Sequence, residues 1–223
     1  MFSKSRTLSE KIMSGFSNTN RVSLIALLLV SALILLLGVW FRGYLKDKVA
    51  HKHYKEGVEE LENENYRMAV LSLKESLDIK PELVNAWYKK GLAYGHLERY
   101  TEAIRSYRQV LALDHRVPNV WFNKGVAHAE LQSYEEAIEA YKHVIELEPE
   151  HFDAWFSKLA ALSEAGDYEK ALEVCGHVMQ LEAENSEVWH IKGWILLNKG
   201  RHQEAEYAFE KAEKFGNHQI TND

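Results

Sequence analysis

The sequence predicts an all-α protein: one transmembrane helix followed by a solenoid of five helix–turn–helix repeats. Three observations predict it. Tryptophans recur every 34 residues, at Trp87, Trp121, Trp155 and Trp189, and a period of that length on helical sequence marks a solenoid. Val22 to Phe41 is a run of 20 residues without a charge, enough as a helix to cross a hydrocarbon layer about 30 Å thick. The chain has only 3 prolines, and Pro81, Pro118 and Pro149 all fall at repeat boundaries, where a missing N–H costs least.

Composition bounds the function classes. The 223 residues are 46% apolar and 27% charged, which excludes global disorder. A single cysteine, Cys175, excludes an internal disulfide framework and a Cys-rich zinc site. The net charge of -6 conceals basic flanks around the apolar run: residues 1–21 carry Lys4, Arg6, Lys11 and Arg21 against Glu10 alone. Residues 42–55 carry Arg42, Lys46, Lys48, Lys52 and Lys55 against Asp47. The rest of the chain is strongly acidic, so a nucleic-acid partner is not expected.

Taken in order, residues 1–21 form an N-terminal tail and 22–41 the transmembrane helix. Trp40, Phe41 and Tyr44 gather at its end, where aromatic rings favour the headgroup region. A cleaved signal peptide has a shorter apolar core and a small-residue cleavage site; bulky Val39-Trp40-Phe41 argues for a retained anchor. The denser positive flank follows the span, which favours a cytoplasmic repeat domain over an exported one. Residues 42–49 form a short basic juxtamembrane segment. It has no Gly/Ser/Pro linker, so the spacer is expected to be stiff and to form a basic collar near anionic headgroups.

Five units then align: 50–83, 84–117, 118–151, 152–185 and 186–219, leaving 220–223 as a tail. Each opens on His53 or one of the four tryptophans. A glycine follows four residues later at Gly57, Gly91, Gly125 and Gly193, with Leu159 in the fourth unit. Tyr66, Tyr100, Tyr134, Tyr168 and His202 start the second helices. Ala69, Ala103, Ala137, Ala171 and Ala205 fill the small position, and Leu73, Tyr107, Tyr141, Cys175 and Phe209 the next column. Each unit carries two apolar stripes at i, i+3, i+4 and i+7. Ser133 with Glu136 reads as a capping box, and Asn65 and Asp167 as N-caps. One such hairpin cannot bury its own stripes, whereas stacked neighbours can.

These columns resemble the tetratricopeptide repeat family over about three quarters of the chain. The resemblance implies a right-handed superhelix with a concave groove lined by the first helices, and a peptide- or protein-binding role. Two columns would face that groove. One holds Tyr54, Tyr88, Phe122, Phe156 and His190, and the other Val58, Leu92, Val126, Ala160 and Trp194, with His96, Glu130 and Glu164 near the rim. The candidate partner-binding residues are therefore Tyr54, Tyr88, Leu92, Phe122, Val126, Phe156 and Trp194, although the first column also suits packing. Many relatives place asparagine in the second column; this chain is apolar there, which favours an apolar or amphipathic partner segment. Lys55, Lys89 and Asn123 are the nearest match to a carboxylate clamp, without the surrounding pattern.

Lys90, Lys124, Lys158 and Lys192 form a further column, expected to pack their stems between helices and leave the ammonium groups in water. Cys175 is expected to be a small buried hydrophobe. The 11 histidines include no pair four apart, and no Gly-rich phosphate loop or nucleophile elbow occurs. No metal, cofactor or enzymatic activity is expected. The leading reading is a membrane-anchored docking scaffold. A scaffold self-associating through its solenoid ends, and an export-side assembly or quality-control factor, are the alternatives. Residues 216–223 are too few for an added capping helix, so the charged last helix would cap the stack itself.

Overall fold

The protein is described here by a computed structural model covering residues 18–220, with side chains from 25 to 216. The expected N-terminal tail up to residue 17, and the C-terminal tail from residue 221, lie outside the described residues. Ten helices and no strand occur among the described residues: α1 (Asn18–Glu62), α2 (Tyr66–Ile79), α3 (Val84–His96), α4 (Tyr100–Leu113), α5 (Pro118–Glu130), α6 (Tyr134–Leu147), α7 (Phe152–Glu164), α8 (Tyr168–Leu181), α9 (Ser186–Asn198) and α10 (His202–Ile220). Each odd helix pairs with the even helix after it, and each hairpin packs on the next, giving a solenoid of five units.

The apolar run and the first helix of the first unit are one element. α1 continues unbroken through Gly43 for 45 residues, roughly 67 Å at helical rise. Residues 42–49 lie within it, so stiffness comes from continuous helix rather than from a separate spacer. Its lower part docks on α2: Ser76 Oγ donates to the Ala50 carbonyl at 2.8 Å in a buried setting, and Lys80 Nζ meets Asp47 at 2.8 Å.

Within a unit, the glycine column explains how the two helices approach. A Cβ on Gly91 would stand 2.4 Å from the Tyr107 ring, and one on Gly125 or Gly193 2.6 Å from Tyr141 or Phe209. The ring of the second helix thus lies directly against the bare backbone of the first. Between units, the tryptophans join neighbours. The indole N–H groups of Trp87, Trp121, Trp155 and Trp189 donate to the carbonyls of Pro81, His115, Pro149 and Ala183 at 2.7 to 2.9 Å. Each ring therefore clamps the turn that ends the preceding unit. The closing residue need not be proline, because only its carbonyl is used.

The turns inside the units repeat as well. Glu64, Glu98, Gln132, Gly166 and Gly200 all have φ between 57° and 78°, the left-handed position of a helix C-terminus. In each, the following residue donates back to the carbonyl five positions earlier, as Ser133 does to His128 at 2.9 Å. This geometry corrects the capping expectations. Ser133 sits at ψ 68° with no side-chain cap, so the Ser133–Glu136 box does not form. Asn65 does not cap either, and its amide donates to Glu60 Oε2 at 2.9 Å. Asp167, at the same turn position and a ψ of 67°, does accept from the Lys170 N–H, at a long 3.4 Å, so backbone angle alone does not decide capping here. Capping also appears at Asn185, which accepts from the N–H groups of Glu187 and Val188.

Candidate functional site

Two clefts lie side by side between successive first helices. The larger, about 460 Å³, is bounded by α5 through Val126, Ala129 and Glu130 and by α7 through Phe156, Ala160 and Glu164; Tyr134 and Tyr141 of α6 form its floor. The smaller, about 270 Å³, is bounded by Leu92 and His96 of α3 and by Asn123, Val126 and Glu130 of α5, over Tyr100 and Tyr107 of α4. Subtracting one 34-residue period from the larger cleft gives the smaller: Tyr134 becomes Tyr100, Tyr141 becomes Tyr107, and Glu164 becomes Glu130. It is one pocket made twice, and Val126 and Glu130 belong to both.

Three of the floor tyrosines have raised pKa values. Burial pushes the Tyr141 phenol up to about 12, and burial together with nearby Tyr88 raises Tyr107. The Tyr100 phenol is raised by burial first and then by the Glu130 carboxylate. Each cleft therefore offers ring faces, aliphatic walls and a carboxylate at the rim. Among the described residues, no basic group lies within 4 Å of Glu130 or Glu164 to neutralise them.

The sequence-derived residues divide in three. Leu92, Val126 and Phe156 line the clefts. Tyr54, Tyr88 and Phe122 are half-buried and turn toward the core. Tyr54 packs against the Leu73, Leu77 and Ala86 cluster, Tyr88 joins the Tyr107 cluster while its hydroxyl accepts from Asn123 Nδ2 at 3.2 Å, and Phe122 packs against the Tyr141 cluster. Trp194 lies outside both clefts, 39% exposed, with its ring edge-on to Tyr168 at 5.8 Å. It takes the position that Ala160 leaves open one unit earlier, so a bulky ring fills what would be a third cleft. Asn123, considered as a clamp residue, is occupied instead by Tyr88 and by the Asn119 carbonyl.

Tyr100, Tyr107, Tyr134 and Tyr141 were visible in sequence only as turn and packing columns; their second faces form the cleft floors. The lysine column has a more specific place than a packed stem. The ammonium groups of Lys90, Lys124, Lys158 and Lys192 stand 4.3 to 5.2 Å from the ring centroids of Trp87, Trp121, Trp155 and Trp189. The i, i+3 spacing of each Trp–Lys pair is the signal that could have shown it. Burial lowers the pKa of Lys90, Lys124 and Lys158. In the first unit the same two positions are His53 and Glu56, hydrogen-bonded at 3.1 Å. No grouping of three or more potential metal ligands occurs among the described residues.

A tetratricopeptide repeat profile matches residues 54–118, 88–147 and 122–175, and a second profile of the same description matches 186–215. No curated protein matches the sequence significantly. Among solved structures, one crystal structure of MamA superposes with a TM-score of 0.71 at 21% identity, over 74% of this chain and 96% of that one. A second MamA structure gives 0.73 at 20%, over 78% and 95%. YrrB, described as a TPR protein with an unusual peptide-binding site, gives 0.67 at 17%, over 73% and 84%. At these identities the structural likeness establishes the solenoid, while the profile matches span more than half of the sequence: the chain belongs to the tetratricopeptide repeat family.

Proposed function

We propose that this protein is a membrane-anchored docking scaffold that holds a partner segment in the paired clefts of α3 to α7. The observation that carries the reading is the pocket repetition: two adjoining sites of the same design, 34 residues apart and sharing Val126 and Glu130. Such a pair suits an extended or helical segment laid across successive units, apolar toward the tyrosines. Because Glu130 and Glu164 face the opening without a basic neighbour, the segment that fits best is amphipathic, with a lysine or arginine beside its apolar residues. YrrB's described peptide-binding site is consistent with this use of the fold.

The anchor half of the proposal rests on α1. It is long and apolar enough to cross a membrane, and its apolar stretch is not buried against the rest of the protein. Ile25 to Phe41 presents large exposed aliphatic side chains on every side of the helix, as a lipid-facing helix does. Trp40 and Tyr44 stack at its end, 5.9 Å apart, in the place of an interfacial aromatic belt. The five Lys/Arg residues from Arg42 to Lys55 favour the cytoplasmic over the exported side for the solenoid, by the charge bias of short flanks.

Photo-cross-linking in native membranes tests the docking reading. A photoreactive residue is placed at Leu92 or Ala160 inside the clefts, and at Arg108 on α4, outside both, as a control. Cross-links from the cleft positions alone, mapping to one segment of another protein and abolished by Val126→Glu in a folded solenoid, support docking. Cross-links only between copies of this chain favour self-assembly. Equal capture from all three positions overturns the docking reading.

A further inference from the structure

We infer that the junction between α1 and α2 holds one phospholipid of the membrane that α1 crosses, and that the headgroup it selects carries a primary ammonium, as phosphatidylethanolamine does. The inference rests on the reading of α1 as a membrane anchor.

A cleft of about 400 Å³ lies there, lined by Arg42, Leu45, Lys46 and Val49 of α1 and by Asp78 and Ile79 at the end of α2. The four α1 residues follow i, i+3, i+4 and i+7 spacing and so share one face. Leu45 and Val49 are each 44% exposed. The Asp47–Lys80 ion pair and the buried Ser76–Ala50 hydrogen bond pin the end of α2 beside this face, so the cleft is built before any ligand arrives.

Its position relative to the bilayer is set by the helix. Arg42 directly follows the last residue of the uncharged run, and Val49 lies about 10 Å further out at helical rise. The polar layer outside the hydrocarbon is about 5–8 Å deep on each side. Arg42 and Lys46 therefore bracket the phosphate level, and Leu45, between them, offers apolar surface to the glycerol backbone, with Val49 further out beside the headgroup. Among the described residues, neither cation is in an ion pair, and neither is Asp78.

The order of charges selects the headgroup. α2 runs antiparallel to α1, since Ser76 meets Ala50 and Lys80 meets Asp47. Asp78 is thus level with Val49, outward of Arg42 and Lys46. In an ethanolamine headgroup the ammonium lies two carbons beyond the phosphate and is free to swing outward. It would meet the Asp78 carboxylate and the C-terminal end of α2, where the helix dipole favours a cation. A choline headgroup cannot donate hydrogen bonds to that carboxylate, and an anionic headgroup would bring a second negative charge toward Asp78.

The test uses full-length protein in nanodiscs of phosphatidylcholine, alone or with phosphatidylethanolamine or phosphatidylglycerol, with retained lipids counted by native mass spectrometry. The expected result is one retained phosphatidylethanolamine, preferred over phosphatidylcholine about fivefold, the size of a single interfacial ion pair. Asp78→Asn is expected to abolish that preference. Arg42→Gln with Lys46→Gln is expected to lower retention of every lipid, while Lys48→Gln with Lys52→Gln, the same charge change at lysines that do not line the cleft, is expected to leave it unaltered. Equal retention of all lipids, preference for phosphatidylglycerol, or equal loss in both double variants overturns the inference. Release of the protein from native membranes by carbonate overturns the anchor reading instead, and is measured separately.

Discussion

Leu159 and Cys175 together occupy the positions that glycine and a bulky side chain hold in the other four units, and both are buried in the same cluster. Elsewhere the bulk sits on the second helix and the first gives way, as with Gly125 beneath Tyr141. Here the bulk moves to the first helix and the second gives way. The pair conserves volume across the helix contact, which close-packed interiors require.

Exchange between units tests this complementarity. Gly125→Ala drives a Cβ to 2.6 Å from the Tyr141 ring and is expected to cost about 1–3 kcal/mol. Gly125→Leu with Tyr141→Cys recreates the fourth unit's arrangement. It is expected to be more stable than the sum of its single changes by at least about 1 kcal/mol. Urea unfolding of the four proteins measures the coupling, and additive losses would refute the volume argument.

The indole clamps carry part of the stacking energy between units. Trp155→Phe keeps a ring but loses the donor to the Pro149 carbonyl at 2.8 Å and weakens the ring beneath Lys158. A loss of about 1 kcal/mol is expected, at the low end because the carbonyl can turn to water. Thermal unfolding measures it. The same change at Trp87 should add to it, since the two clamps are two units apart.

Alkaline pH should unmask Cys175. Burial raises its thiol to about 11 from an ordinary 9.0, so the unfolded chain ionises first and the folded state loses ground as pH rises. Its contribution is complete below pH 9 and is lost between about 9 and 11. From pH 8 to 10.5 the wild type is expected to lose about 2 kcal/mol more than Cys175→Ala. Comparing the two cancels the tyrosines and lysines that titrate in the same range. Equal pH dependence would show that the thiol is accessible in the folded state.

The left-handed turn column yields opposite effects at equivalent sites. Gln132 and Gly166 occupy the same turn position, with φ of 57° and 78°, and a Cβ on Gly166 would meet nothing within 4 Å. Only backbone conformation is therefore at stake. Gly166→Ala is expected to cost about 1 kcal/mol, and Gln132→Gly to gain about 0.5 kcal/mol, because glycine's greater chain entropy offsets part of the relief. Urea midpoints at constant slope report both.

The sequence by itself determined the repeat and the apolar span. Period and hydrophobicity are properties of residue order, so Trp121 locates Trp87 and Trp155 without coordinates, and a run without charge is visible as a run. It also marked Leu92, Val126 and Phe156, because first-helix columns map directly onto the walls between units. Only the tertiary structure decided the rest. Tyr107 and Tyr141 face a glycine on one side and a cleft on the other, and a column cannot show a second face. Trp194 had the right residue type and the right column, yet it packs on Tyr168 because its own bulk fills the gap. Ser133 had the right capping letters, yet its side chain makes no bond to the helix N-terminus, while Asp167 at the same turn position does. Residue order sets which side chains can meet along one helix; what they meet across helices depends on volumes and backbone angles supplied by neighbours distant in the chain.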